Sequence, residues 1–252
     1  LSPAVMEDIS RRSEDFDVTL GGEACDVVVL FTDVRGFTAK TMDSTKQGRV
    51  GDFVRQLNAY FTVVVQQLLS NNATVDKYIG DAIMAFFGDP ETLGQNNDAV
   101  NCIKMALEMQ QRAKKLRNEL KKMGVTRPFN IRCGINSGIC TVGNFGSENR
   151  LDYTAIGNQV NLASRLESMA GEGEVLVSEE TMLLTQDSFE FKPNKEIYVK
   201  GFSRPIKTFS VLNTKQMKQI KKISLHSKGI DLEITPEKFN DHSLESLREV
   251  LA

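Results

Sequence analysis

The chain has 252 residues, of which 40% are hydrophobic and 25% charged, and its formal net charge is −2. This composition is typical of an ordinary globular protein, and the near-neutral charge gives no indication of a nucleic-acid or anionic-membrane partner. No apolar run approaches the roughly 18 residues that a membrane-spanning helix requires, and no secretory signal peptide is recognisable at the start.

The hydrophobic pattern predicts the elements of the first half in chain order. They are a short helix over residues 2–10, a strand over 25–32, a long amphipathic helix over 46–70, a hairpin of 73–78 and 82–87 around a Gly80-Asp81 turn, and a helix over 98–123.

The second half is predicted in the same way. Its elements are strands over 129–136 and 139–144 around a Ser137-Gly138 turn, a helix over 161–170, strands over 175–178 and 189–197, and a hairpin joining 197–199 to 206–211. The order lacks the steady βαβ alternation of a Rossmann sheet, so we expect an α+β fold with a mainly antiparallel sheet and helices on one face.

Three segments are expected along the chain. Residues 1–22 form a helix and linker from a longer protein, residues 23–213 form the main domain, and residues 214–252 form a C-terminal appendage. The appendage becomes basic and polar, with a hairpin expected over 223–234 and a helix over 243–251.

Cysteines and basic stretches are interpreted structurally. The four cysteines show neither CxxC nor metal-ligand spacing, so we expect small core residues in a reducing compartment. They are Cys25, Cys102, Cys133 and Cys140. The densest basic stretches, residues 114–122 and 215–222, are interpreted as solvated faces, with a partner surface as the alternative.

Two strings, LFTDVRGFT and DKYIGDAIMAFF, each place a carboxylate at the edge of a predicted buried strand. Asp33 and Asp81 can together hold divalent cations, and the backbone N–H groups of Gly36-Phe37-Thr38 can hold a phosphate. A plain turn is an equally good interpretation of Gly36 alone. The pattern indicates metal-dependent chemistry on a nucleoside triphosphate.

Five strings, in this order, resemble the catalytic domain of class III adenylyl cyclases from about residue 26 to residue 212. They are LFTDVRGFT, VDKYIGDAIMAFFGDP, FNIRCGINSG, DYTAIGNQVNLASRLE and YVKG. The resemblance implies that residues 23–213 form a cyclase catalytic domain with a ferredoxin-like fold, as in polymerase palms. It also implies conversion of ATP to 3′,5′-cyclic AMP and pyrophosphate.

The resemblance implies that Asp33 and Asp81 bind two divalent cations, Mg²⁺ or Mn²⁺, with the Val34 carbonyl as a further ligand. Hard oxygen ligands suit these ions. Two such ions can activate the ribose 3′-hydroxyl and neutralise the triphosphate as the α-phosphorus is attacked. Gly36, Phe37 and Thr38, at the start of a helix, are implied to hold the terminal phosphates.

Lys77 and Thr154 stand where the resemblance places the two base contacts. Many class III enzymes have Asp at the second position, and those with Thr resemble the cyanobacterial and mammalian soluble adenylyl cyclases. Guanylyl cyclases typically carry Glu and Cys. A cationic donor suits adenine N1 and a hydroxyl suits the 6-amino group, so the pair favours ATP. Lys77 alternates with Val75 and Ile79, so we expect it on their inward face.

Asn161 and Arg165 are four residues apart and share a helix face. They correspond to the family residues that orient the ribose and stabilise the pentavalent phosphate. The alternatives are a helix N-cap for Asn161 and a surface cation for Arg165. Lys200, in YVKG, matches the phosphate-binding lysine. Because no member of the catalytic set is missing, the resemblance argues against an inactive copy.

In this family the active site is shared across a head-to-tail dimer, in which one chain supplies the metal-binding aspartates and the other supplies the base-reading pair, the Asn and the Arg. A chain with both halves of the set therefore implies a homodimer with two equivalent sites. The N-terminal helix resembles a linker from an upstream sensor domain, with a simple surface helix as the alternative. Sensitivity to bicarbonate is suggested only by analogy with the subclass that has Thr at the second base contact. We expect a cytoplasmic catalytic domain, which can belong to a membrane-bound or multidomain parent.

Two other functions stay open. One is a guanylyl cyclase, which Lys77 and Thr154 disfavour. The other is a non-catalytic, nucleotide-binding regulatory module, which the complete catalytic set disfavours. A diguanylate cyclase would carry a GG(D/E)EF signature, and the sequence has none.

Overall fold

The computed structural model divides into two compact units, Leu1–Thr214 and Lys215–Ala252. The residues it describes are 20–46, 48–125, 128–147, 150–215, 223–227 and 230–234. In the second unit, strands β9 (Ile223–Ser227) and β10 (Ile230–Ile234) pair antiparallel, which confirms the predicted hairpin. The helices predicted over 2–10 and 243–251 lie outside the described residues.

The described part of the first unit alternates helices with the strands of one sheet. The strands are β1 (Gly21–Val34), β2 (Thr74–Ile79), β3 (Ala82–Phe87), β4 (Ile131–Ser147), β5 (Arg150–Ile156), β6 (Val175–Ser178), β7 (Phe189–Pro193) and β8 (Thr208–Thr214). The helices are α1 (Phe37–Lys46), α2 (Val50–Ser70), α3 (Gln95–Lys122), α4 (Asn158–Met169) and α5 (Glu179–Thr185). Across the described ranges, no helix has the length and apolarity needed to span a bilayer.

The sheet has the strand order β2-β3-β1-β4-β6-β8-β7, and β5 pairs with the far end of β4. The pairs are antiparallel except for β4 with β6, which is parallel. This topology confirms the expected α+β fold with a mainly antiparallel sheet. The predicted hairpin of β2 and β3 is also confirmed.

The apolar run of β1 is continuous because both faces of this central strand are buried. Val28 and Leu30 point into a core shared with α2 and α3, whereas Val29 points into a second core that includes Ala163 of α4. Helices therefore cover both faces, and the expectation of one face is wrong. A Cβ at Gly134 would lie 2.0 Å from the Glu167 nitrogen, so only glycine lets α4 approach β4 this closely.

Several predicted boundaries are also wrong. The helix predicted over 46–70 begins at Val50, and a separate helix, α1, precedes it. The predicted Ser137-Gly138 turn is continuous strand, in which Gly138 pairs with Val27 of β1. A Cβ at Gly138 would lie 2.9 Å from the Gln159 side chain, which would have to move.

The C-terminal part of the main unit differs from the prediction in its pairing. Only an isolated bridge joins Ile197 to Ile206, and β8 pairs with β7 instead. Strand β5 and helix α5 were not predicted. Among the cysteines, Cys102, Cys133 and Cys140 are buried as expected, and Cys25 is half-buried.

Candidate active site

Asp33 and Asp81 lie together because the ends of two neighbouring strands meet. Asp33 is the penultimate residue of β1, and Thr32 pairs with Ile83 at the start of β3. The same register places Asp33 beside the turn that joins β2 to β3, where Asp81 lies. Gly80 of this turn has φ +67°, a left-handed conformation that glycine adopts without strain.

The two carboxyl groups repel each other in their ionised forms. Burial raises the pKa of Asp81 to about 7, with a further contribution from the hydrogen bond and the charge of Asp33. A divalent cation between the two would relieve this repulsion, and carboxylate oxygens are the ligands that Mg²⁺ and Mn²⁺ prefer. The residues therefore fit such ions, with the Val34 carbonyl on the same strand end.

Arg132 and Glu167 lie with Asp33 and Asp81 in one group of charged side chains, which we call the Asp33 cluster. Neither Arg132 nor Glu167 was predicted. Arg132 pairs with Asp33 across β1 and β4, and its Nη2 lies 2.8 Å from Asp33 Oδ2. Its Nε lies 2.6 Å from Glu167 Oε1. Burial raises the pKa of Glu167 to about 7, with the charge of Asp33 also raising it and that of Arg132 lowering it. Both residues lie inside motif strings, but their proximity depends on the β1–β4 register and the α4 position.

The segment Gly36-Phe37-Thr38 directly follows this strand end and opens α1. Gly36 has φ +74°, and the Phe37 ring packs against Phe53 with the ring centroids 5.3 Å apart. The first turn of α1 has no acidic residue, and the first N–H groups of a helix have no partner within the helix. Thr38 lies in this turn, outside the residues whose side chains are described. The arrangement suits an anion.

Lys77 and Thr154 are brought together by a residue that the sequence analysis missed, Asp76. The Asp76 side chain is fully buried. Its Oδ2 accepts hydrogen bonds from Thr154 Oγ1 at 2.6 Å and from the Ala155 nitrogen at 3.3 Å. Lys77 Nζ lies 3.3 Å from Oδ1. Burial raises the pKa of Asp76, and the hydrogen bond from Thr154 and the charge of Lys77 limit the rise.

The expectation that Lys77 shares an inward face with Val75 and Ile79 is wrong. The register of β2 shifts between Val75 and Lys77 where the strand bulges, so the alternation of side chains is interrupted. The Lys77 side chain is 39% exposed, and Ile79 is also exposed. Lys77 therefore lies on the edge strand of the sheet with its side chain partly exposed, and it forms an ion pair with the buried Asp76.

Asn161 and Arg165 lie one turn apart on α4, and both are exposed. The helix begins at Asn158, so Asn161 is not its N-cap. Residues 165 and 167 are about 200° apart around a helix axis. Glu167 faces the Asp33 cluster of its own chain, whereas Arg165 points away from it.

Lys200 is exposed in the turn before Gly201. A Cβ at Gly201 would lie 3.3 Å from the Asn158 side chain, so this turn packs beside the start of α4.

The sequence-predicted residues thus form three groups in one chain. Asp33, Val34 and Asp81, with Gly36 to Thr38 next to them, lie at the strand ends. Lys77 and Thr154 meet at Asp76. The third group is on or beside the outward side of α4 and consists of Asn161, Arg165 and Lys200. The structure does not bring this third group to the Asp33 cluster of the same chain.

Comparison with known proteins agrees with this architecture. A solved structure of the adenylyl cyclase CyaB from P. aeruginosa is 41% identical, covers 78% of this chain and 98% of its own, and has a TM-score of 0.72. The guanylyl cyclase Cya2 is 29% identical, with 79% and 98% covered and a TM-score of 0.70.

Among curated proteins, an adenylate cyclase of Dictyostelium discoideum described as terminal-differentiation specific is 30% identical over 91% of this chain. The chain spans only 11% of the length of that relative. The family described as "Adenylate and Guanylate cyclase catalytic domain" matches residues 22–213. This chain therefore belongs to the class III adenylyl and guanylyl cyclase catalytic domain family.

Proposed function

We propose that the chain is the catalytic domain of an adenylyl cyclase, which converts ATP to 3′,5′-cyclic AMP and pyrophosphate. The observation that supports adenine as the base is the proximity of Lys77 and Thr154, which both contact Asp76. The ammonium group of Lys77 donates hydrogen bonds, as adenine N1 requires, whereas guanine N1 is itself a donor. The Thr154 hydroxyl, beside it, suits the 6-amino group of adenine.

Asp33, Asp81 and the Val34 carbonyl would hold two divalent cations, Mg²⁺ or Mn²⁺. These ions would supply Lewis acidity for the attacking 3′-hydroxyl and neutralise charge on the triphosphate. The backbone N–H groups of Gly36, Phe37 and Thr38 would hold the terminal phosphates at the start of α1.

The reaction requires a second copy of the chain. Asn161 and Arg165 are exposed on the side of α4 opposite Glu167, so they cannot serve the Asp33 cluster of their own chain without a rearrangement. In a homodimer they would reach the partner's cluster, where Asn161 orients the ribose, Arg165 stabilises the pentavalent phosphate and Lys200 binds phosphate oxygens. This arrangement supports two equivalent shared sites.

The position of the domain in a larger protein belongs to the same proposal. The D. discoideum relative is much longer than this chain, which supports an upstream sensor domain that controls the alignment of the two catalytic copies. ATP as substrate supports a cytoplasmic location. Residues 1–22 as linker and 214–252 as appendage are the boundaries that we propose around the catalytic domain of residues 23–213.

The test is incubation of the purified protein with ATP or GTP and either Mn²⁺ or Mg²⁺, followed by chromatography and mass spectrometry of the products. We expect cyclic AMP and pyrophosphate in equal amounts. The similarity to the guanylyl cyclase Cya2 makes GTP the necessary comparison. Cyclic GMP as the main product would overturn the choice of base. Absence of any cyclic product would favour a regulatory nucleotide-binding module.

A further inference from the structure

Asp76 is a buried carboxylate whose contacts are made with the two base-contacting residues. Its side chain has no exposed surface, so it cannot touch a nucleotide directly. The Oδ2 atom accepts from Thr154 Oγ1 at 2.6 Å, a length typical of a charge-assisted O–H···O⁻ hydrogen bond. The Oδ1 atom faces Lys77 Nζ at 3.3 Å.

The direction of the Thr154 hydrogen bond follows from the chemistry of its partner. The Ala155 N–H and the Lys77 ammonium group both face Asp76 and favour its ionised form. An ionised carboxylate has no proton to donate, so the Thr154 hydroxyl gives its own proton to Asp76. The hydrogen-bonding capacity that remains on that hydroxyl is its lone pairs, which can only accept hydrogen bonds. The position-6 group of adenine is an amino donor, whereas that of guanine is a carbonyl acceptor.

We propose that Asp76 is a positioning residue that sets base selectivity by holding the Thr154 hydroxyl as an acceptor. This inference rests on the proposed function and adds a residue to it. With the hydroxyl proton committed to Asp76, a 6-amino group finds an acceptor and a 6-carbonyl group meets two lone pairs. Without Asp76 the hydroxyl can rotate and donate to a carbonyl.

The experiment compares kcat/KM for ATP and for GTP in wild type, Asp76→Asn and Asp76→Ala. In the Asn variant a neutral oxygen can still accept from Thr154 and Ala155, so we expect the ATP/GTP ratio to fall about threefold. In the Ala variant the acceptor is absent, and we expect a fall of about tenfold or more. The ratio does not depend on the folded fraction of a preparation, because both substrates are measured on the same protein.

Two further measurements separate positioning from a structural role. With purine ribonucleoside triphosphate, which has no group at position 6, kcat/KM should change by less than about twofold between wild type and Asp76→Asn. In a Thr154→Val background, Asp76→Ala should leave the ATP/GTP ratio unchanged, because the hydroxyl through which Asp76 acts has been removed.

An unchanged ATP/GTP ratio in both Asp76 variants would overturn the proposal. Equal losses on ATP and on the unsubstituted purine would overturn it too, as would loss of activity with all three substrates. These outcomes are distinct from failure of the proposed function, which shows in the wild-type protein alone as a preference for GTP or as no cyclic product.

Discussion

Arg132 and Asp33 face each other across β1 and β4, with Arg132 Nη2 2.8 Å from Asp33 Oδ2. The side chains are 12% and 14% exposed, so water screens this ion pair only in part. The guanidinium also contacts Glu167. A permanent cation therefore balances the carboxylates at the strand ends when divalent ions are absent, which keeps a cluster of negative charge compatible with a folded domain.

Replacing this cation should weaken the fold and increase the stabilising effect of metal. In Arg132→Met the carboxylates of Asp33 and Glu167 lose their partner, so we expect the free energy of unfolding to fall by about 3 kcal/mol in EDTA. Mn²⁺ should recover part of this loss, because it binds the folded carboxylates. Urea denaturation with EDTA and with Mn²⁺, without nucleotide, measures both effects.

The control for this prediction is Arg204→Met, which removes an exposed arginine. It should change the free energy of unfolding by no more than about 0.5 kcal/mol. An Arg132→Met protein as stable as wild type in EDTA would show that Arg132 does not balance the cluster.

Asp33→Asn should remove most of the cyclase activity while the protein stays folded and dimeric. The amide is similar in shape but lacks the charge that holds a divalent cation, so we expect kcat to fall by about two to three orders of magnitude. Product formation with ATP and Mn²⁺ gives the rate, and sedimentation gives the oligomeric state. Asp187→Asn, at an exposed position far along the chain, is the matched control and should keep full activity.

Two inactive variants should restore activity when mixed, because the proposed site is shared. Asp33→Asn lacks a metal ligand and Arg165→Ala lacks the arginine offered to the partner, so each homodimer is inactive. A mixed dimer contains one intact site. Random exchange makes half of the dimers mixed, which predicts about a quarter of wild-type activity. Activity that stays at the level of the separate variants after verified subunit exchange would refute the shared site.

The close approach of α4 to β4 should make Gly134→Ala costly. The added Cβ would lie 2.0 Å from the Glu167 nitrogen and 2.5 Å from the Ala163 oxygen, so the helix must move. We expect a loss of about 2 kcal/mol in stability, together with lower activity because Asn161 and Arg165 move with the helix. Thermal unfolding and the cyclase assay measure the two losses.

Gly51→Ala serves as the control, and we expect it to raise the stability of the protein rather than lower it. Gly51 is exposed in α2, and an added Cβ there would meet only the Arg55 guanidinium at 3.9 Å. Alanine favours the helix, so stability should rise by about 0.5 kcal/mol with unchanged activity. Equal effects of the two substitutions on stability would show that the close contact of Gly134 with α4 does not contribute to the stability of the fold.

The parts of the fold predicted from the sequence are those with local signals. The buried run of β1 and the Gly80-Asp81 turn are continuous in the chain, so the pairing of Asp33 with Asp81 could be anticipated. The contact of Arg132 with Asp33 could not be anticipated, because it depends on the register between two strands whose paired residues are about 100 residues apart in sequence. Lys77 was assigned to the wrong face because a bulge interrupts the alternation.

Strand β5 was not predicted, although its sequence, RLDYTAI, alternates polar and apolar residues from Arg150 to Ala155 as a half-buried strand does. The signal for this strand was therefore local. The contact of Thr154 with Asp76 of β2 had no such signal, because it depends on the pairing of β5 with β4 and on the position of β2 beside it. Asp76, which joins the two proposed base contacts, was visible only in three dimensions.

The two sides of α4 have a consequence for the kinetics of the proposed dimer. Glu167 lies on the side that touches the chain's own strand ends, and Arg165 lies on the side proposed to serve the partner. A helix moves as a rigid rod over this distance, so any shift of α4 when one site fills also displaces the arginine of the other. Occupancy of the two sites is then thermodynamically coupled, and the coupling must be reciprocal. The velocity curve for ATP should accordingly have a Hill coefficient different from one.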